Sequence, residues 1–152
     1  FGWSKMFQGA VALTLDAKGR MTVPQRHREL LCPDGAPLVL TAHPHRCVVL
    51  YPQSVWQPIR DEIVRMPGLD PRAAALKRLL VGFAEEQTLD GAGRVLLAPS
   101  LRQWAELEKN VWLVGQGSHL ELWSETGWAK QQEAMRSISF ADLPEPFQGL
   151  AL

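Results

Sequence analysis

One phrase is written twice in this chain. Thr14-Leu15-Asp16-Ala17-Lys18-Gly19-Arg20 returns as Thr88-Leu89-Asp90-Gly91-Ala92-Gly93-Arg94, and each copy runs on into apolar residues and a proline. A repeat constrains the fold more than any single motif, because both halves must then use the same local structure. The match extends beyond the phrase. Arg28 falls opposite Arg102, Leu38-Val39-Leu40 resembles Val111-Trp112-Leu113, Val48 to Tyr51 resembles Leu120 to Trp123, and Trp56 falls opposite Trp128. Pro24 follows Arg20 by four positions and Pro99 follows Arg94 by five, which predicts a one-residue insertion ahead of the second proline.

The local signals give the same order of elements in each half. In the first, Val11 to Leu15 alternates and Met21-Thr22-Val23 continues beyond a Gly-centred turn, which predicts a short hairpin. Asp16 opens that turn and Gly19 supplies positive φ. Pro24 suits the first position of a helix over 25–31, and strands over 38–42 and 47–51 follow, joined by His43-Pro44-His45-Arg46. Ser54 predicts a cap for a helix over 55–65 with Pro58 in its first turn, and Asp70-Pro71 launches a helix over 72–81. The second half predicts strands over 86–89 and 95–97, a helix over 99–107, strands over 111–114 and 120–123, and a helix after Ser124 to about residue 135. Beyond Phe140 the chain reads as an irregular tail. The divisions expected are 1–5, a tag remnant or N-terminal extension; 6–57, the first repeat; 58–82, a helical connector; 83–129, the second repeat; and 130–152, a helix end and tail.

Composition narrows the class. Apolar residues are 46% and charged residues 21% of 152, so a packed core is expected. No apolar run approaches the ~20 residues of a membrane-spanning helix, and no secretory signal opens the chain, so a soluble cytoplasmic protein without a membrane partner is expected. Sixteen basic and sixteen acidic residues balance, so any basic surface is local or assembled from several subunits.

The repeated arginine is the candidate functional residue. Turn chemistry accounts for Asp and Gly, whereas a cation at the same offset in both copies has no role in the turn beyond pairing with the Asp. His43, His45 and Cys47 alternate and invite a metal reading, but Pro44 interrupts them and no fourth ligand is near. Cys32 with His27 lacks the orienting group a thiol nucleophile needs. No Gly-rich phosphate loop is present. No metal, cofactor, small-molecule substrate or catalytic group is therefore expected. The tryptophans are expected in the core and at a subunit interface, and the connector leucines with Phe83 likewise in packing between neighbours.

The order Met6-Phe7-Gln8-Gly9, Leu15 to Arg20, Val23-Pro24, Leu50-Tyr51-Pro52, Leu89 to Arg94 and Ala98-Pro99 resembles the bacterial MraZ family over residues 6 to about 135. The resemblance implies an α+β double swapped-hairpin (AbrB/SpoVT-like) β-barrel built from two internal repeats, with connecting and C-terminal helices. It implies a sequence-specific transcriptional regulator, nucleoid-associated, that binds direct repeats in the promoter of the division and cell-wall gene cluster as a ring-shaped homo-oligomer. It makes Arg20 and Arg94 the DNA contacts, with Asp16, Gly19, Asp90 and Gly93 as turn residues. Lys18, Arg28 and Arg102 join the expected DNA surface as flanking cations. Ala92 stands where Lys18 has its counterpart, and Glu85, Glu86, Glu106 and Glu108 cluster in sequence around the second copy, so the two grips are expected to be unequal. The other reading is an antitoxin-like or structural protein-binding module of the same fold.

Overall fold

Apolar residues at every position of Val48-Val49-Leu50 mark a strand buried on both faces, and the covering elements come from both halves of the chain. The computed structural model describes residues 5–152. In chain order its elements are β1 (Ala10–Thr14), β2 (Arg20–Thr22), α1 (Gln25–Leu31), β3 (Leu38–His43), β4 (Cys47–Pro52), α2 (Gln53–Arg65), α3 (Pro71–Leu80), β5 (Glu85–Gln87), β6 (Arg94–Leu96), α4 (Pro99–Trp104), β7 (Asn110–Gly115), β8 (Leu120–Ser124), α5 (Glu125–Arg136) and α6 (Glu145–Gln148). The tail expected to be irregular contains α6 and a 3-10 turn at Phe140–Asp142. The expectation for residues 1–4 lies outside the described residues.

The strands form a six-stranded antiparallel sheet in the order β1-β7-β8-β4-β3-β5 and a separate antiparallel ribbon, β2-β6. The α+β class and its antiparallel pairing agree with the sequence. The expected local hairpin does not: β1 pairs with β7 and β2 pairs with β6, so each limb of the first motif pairs with a strand of the second half. β5 reciprocates by pairing with β3. The turn itself closes locally, the Asp16 N–H donating to the Arg20 carbonyl, but the strands leave it for different partners. Alternation specifies which face of a strand is buried and not which strand lies beside it, so cross-repeat pairing was invisible in the pattern. Among the described residues the ladders form an open sheet and a ribbon rather than a closed barrel.

Three layers result. One face of the sheet, with Leu38, Leu40, Val48, Leu50, Leu113 and Leu122, packs against Met21, Val23, Val95 and Leu97 of the ribbon region and Leu31 and Leu101 of α1 and α4. The other face, with Val39, Cys47, Val49, Tyr51 and Trp123, packs against Trp56 of α2 and Trp128 of α5. The tryptophan pair therefore occupies the core as expected. Thr41 is buried in β3, and its hydroxyl donates to the Leu80 carbonyl at 2.6 Å. The connector is used inside the chain: Leu79 and Phe83 pack on the first core and Leu80 on the second, while Leu69 is fully exposed.

The helix starts refine two expectations. Pro24 is the N-cap of α1 and Pro99 is the first residue of α4, whose N-cap is Ala98. Pro24 and Ala98 are therefore equivalent, and the two halves stay in step through Arg28 and Arg102 without the expected insertion. Both positions precede the first obligatory intrahelical N–H bond, so proline fits either. α2 begins at Gln53 with Pro52 as its cap, so Ser54 does not cap it and Pro58 lies inside the helix, beyond the first turn. Asp70 and Ser124 do cap their helices, accepting from the N–H of Arg72 and Gly127.

Three histidines tie stability to pH. Burial, followed by the charge of Arg26, holds His27 below its ordinary value of 6.5; burial and then His45 act on His43; burial acts on His119 against an opposing Glu121. Each therefore binds fewer protons in the folded state than in the unfolded state once the pH drops below 6.5. Stability is full above that value and falls as acid forces these groups to charge or unfold. The aspartates with lowered values act only below about 3.8. Thermal melts should show a lower midpoint at pH 5.5 than at pH 7.5, and an unchanged midpoint would contradict this assignment.

Candidate nucleic-acid interface

The site grows from two turns with the same hydrogen bonds. The Asp16 carboxylate accepts the N–H groups of Lys18 (2.9 Å) and Arg20 (2.8 Å) on Oδ1 and the Arg20 Nε on Oδ2 at 2.7 Å. Asp90 does the same for Ala92 (2.9 Å), Arg94 (2.8 Å) and the Arg94 Nε (2.9 Å). The Arg20 backbone N–H, followed by its guanidinium and the Lys18 N–H, keeps Asp16 below the usual carboxylate range, and the Arg94 N–H leads the same effect on Asp90. One carboxylate thus shapes the turn and aims an arginine. Because Nε is the atom engaged, the terminal nitrogens of each guanidinium have no hydrogen-bond partner among the described residues and stay available as donors. The arginines remain about one-third exposed, 32% and 35%.

Strand register places the two arginines on one surface. In the ribbon Arg20 lies opposite Leu96, Met21 opposite Val95, and Thr22 opposite Arg94. Met21 and Val95 face the core at 0% and 1% exposure. Alternation then puts Arg20, Thr22, Arg94 and Leu96 together on the outer face. Arg20 and Arg94 are diagonal neighbours there, a relation of roughly 7–8 Å between Cα atoms. The sequence singled out both arginines but gave no reason to expect them on one ribbon. It passed over Thr22 and Leu96, whose signal was available in their position two residues after each arginine.

Arg28 and Arg102 have a different placement from the one expected. The Arg28 Nε donates to the Val23 carbonyl at 2.8 Å and the Arg102 Nε to the Leu97 carbonyl at 3.0 Å. Each lies across the glycine of the other repeat: a Cβ on Gly93 would meet the Arg28 guanidinium carbon at 2.2 Å, and one on Gly19 would meet Arg102 Nε at 2.9 Å. The Val23 N–H donates to the Gly93 carbonyl and the Leu97 N–H to the Gly19 carbonyl, which locks each turn to the opposite strand. The flanking charges therefore cross over. A hollow of about 530 Å³ beside the first turn is lined by Arg102, Glu108 and Lys109 from the second half, while the second turn receives Arg28 from the first. Lys18 is exposed on the first turn, at the position where the second has Ala92.

The other groups weighed in the sequence do not converge. Cys47 and Cys32 are buried, and burial raises both thiols above their ordinary value. Among the described residues no three His, Cys, Asp or Glu side chains gather as a metal-ligand set. Arg46 lies 4.9 Å over the Trp104 ring, whose Nε1 donates to the His43 carbonyl, so the 43–46 tip is fastened to α4. Among the described residues no helix is long and apolar enough to cross a membrane.

Comparison with known proteins adds a second line of evidence. The profile of a family described as "MraZ protein, putative antitoxin-like" matches residues 6–79 and again residues 80–148. The chain is 67% identical over 147 residues to a protein of Aromatoleum aromaticum named "Transcriptional regulator MraZ", covering 97% of this chain and all of the relative. Proteins of the same name from an Azoarcus species and from Dechloromonas aromatica are 60% and 55% identical, again over 97% of this chain and their whole length.

Proposed function

The chain belongs to the MraZ family, and on that premise we propose that it is a transcriptional regulator that binds promoter DNA through the outer face of the β2-β6 ribbon. The observation that carries the reading is the shared face of Arg20 and Arg94, each aimed by its own aspartate. A two-stranded ribbon fits the major groove, about 12 Å wide, and arginine forks suit guanine O6 and N7 or a phosphate. The diagonal between the arginines spans about two base-pair steps of roughly 3.4 Å. Lys18 adds a phosphate contact at one end of the ribbon. Arg28 and Arg102 contribute positive potential while holding the turns.

In this reading the limbs exchanged between repeats are swapped hairpins of AbrB/SpoVT type, supported by the pairing of β1 with β7 and β5 with β3. A chain of zero net charge then acts as a ring of copies, each placing one ribbon on a direct repeat. Linked sites raise affinity through effective concentration rather than new contacts. The ring works in the cytoplasm, on the nucleoid, at the promoter of the division and cell-wall gene cluster. The antitoxin-like alternative draws support from Phe140 and Phe147, exposed at 67% and 52% on the tail. Solution mass and a titration test the proposal together. A closed oligomer whose affinity for its promoter falls with salt at a log–log slope near −0.9 per neutralised phosphate is expected. A monomer would remove the ring, and a flat salt response would remove the phosphate contacts.

A further inference from the structure

We propose that Leu96 is a specificity-determining residue, reading the 5-methyl group of a thymine beside the arginine contact, and that Gln87 is the residue positioning it. The inference rests on the DNA-binding reading above. A lone exposed leucine carries no message, since apolar atoms contribute much of any protein surface. Leu96 is distinguished by its company and by its backbone. It is 44% exposed on the outer face of the ribbon, directly opposite Arg20 and two residues after Arg94.

Its N–H donates to the Gln87 Oε1 at 3.0 Å, and its carbonyl accepts from the Gln87 Nε2 at 2.6 Å. Both polar groups of Leu96 therefore point away from β2, which makes Arg20 and Leu96 a non-hydrogen-bonded pair. In such a pair the Cα atoms are about 4.5 Å apart and the side chains emerge at their closest, which puts the leucine beside the root of Arg20. Gln87 stands in for a neighbouring strand. It satisfies the open edge of β6 at one residue, holds that residue still, and ties the ribbon to β5, where Gln87 itself pairs with Leu38 of β3. Gln87 sits where the first half has Leu13, a strand residue paired with Val111, so no equivalent side-chain amide clamps Thr22.

The chemistry of the partner follows. In the major groove only thymine presents a methyl group, and an apolar side chain beside an arginine is suited to a thymine beside the base or phosphate that the arginine holds. Thr22 occupies the equivalent place opposite Arg94, with a smaller methyl and a hydroxyl. The two ends of the ribbon then carry different instructions, arginine with leucine and arginine with threonine. A reader whose ends differ has a direction along the duplex, which suits direct rather than inverted repeats.

The test uses the full chain and a duplex it selects from a randomised library, with each thymine replaced singly by deoxyuridine, which lacks only the methyl. At one thymine per bound repeat the wild-type chain should lose about fourfold in affinity, the worth of one methylene-sized group withdrawn from water. Leu96→Ala should bind the thymine duplex less well by a similar factor and show no further loss on the deoxyuridine duplex, with an unchanged salt slope because no phosphate contact is touched. Gln87→Ala should shrink the thymine-to-deoxyuridine ratio while keeping the circular dichroism and salt slope of the wild type. A wild-type chain indifferent to every methyl, or a Leu96→Ala chain that keeps the full ratio, overturns the role of Leu96 alone. Failure to enrich any duplex overturns the DNA-binding reading and this role with it.

Discussion

Replacement of Arg20 by Ala is expected to lower affinity for promoter DNA at least about tenfold while leaving the fold intact. A bidentate arginine contact is worth roughly 1–3 kcal/mol of discrimination, and each 1.4 kcal/mol is a factor of ten. Of the Arg20 guanidinium Asp16 takes only the Nε, so the terminal nitrogens remain available while the side chain is already held, and little rotamer freedom remains to be lost on binding. In a ring each subunit that engages DNA suffers the same loss, so the measured effect should exceed that of a single contact. Arg20→Lys should not restore binding, because a lysine supplies a point charge in place of a planar fork and cannot keep the Nε bond to Asp16. The ion pair is surface-exposed and its removal should change the melting midpoint little. Anisotropy titration with parallel thermal melts checks both halves of this expectation. Unchanged affinity would take Arg20 out of the interface.

Gly93→Ala is expected to be the most destabilising single-methyl change in the site. Gly93 has φ +74°, a region where a side chain costs about 1–2 kcal/mol. The new Cβ would also fall 2.2 Å from the Arg28 guanidinium carbon, so Arg28 must swing away from the Val23 carbonyl. A hydrogen bond from a charged group is worth about 1.5–3 kcal/mol, which brings the expected total to about 2.5–5 kcal/mol. Gly91, two residues earlier on the same turn, has open space around its Cα, and Gly91→Ala should be nearly neutral. Urea denaturation of the two variants separates the effects. Equal midpoints would mean that the Arg28 clamp on the opposite turn carries no energy.

This crossing of the halves divides what was legible in the sequence from what was not. Local chemistry was readable: Asp and Gly for the turns, Asp70-Pro71 for the start of α3, Ser124 for the start of α5, and the doubly apolar run of β4. Those signals depend on neighbours within a few residues. Pairing depends on which partner best covers a face, and with two similar halves the pattern of β2 fits its own turn partner as well as β6. The hairpin reading failed for that reason. The same crossing brought Arg28 to the second turn and Arg102, Glu108 and Lys109 to the first, so neighbours in sequence are not the neighbours of each turn, while Lys18 against Ala92 stays within the turns themselves. Gln87 gave no sequence signal at all, because its amide acts as a substitute strand only after β5 and β6 have been brought together.

The central claim is that the outer face of the ribbon lies on DNA, and cleavage from a tethered reagent tests it directly. Thr22 is exposed on the same face, opposite Arg94 and two residues after Arg20, and the native Cys32 and Cys47 are buried, so Thr22→Cys offers one accessible thiol for an iron chelate that generates hydroxyl radicals. Gln57→Cys places the same reagent on α2, which covers the other face of the sheet. The account predicts cuts from position 22 at a fixed place in each bound repeat, with weak or no cutting from position 57. Equal cutting from both, or cutting from position 57 alone, would contradict it.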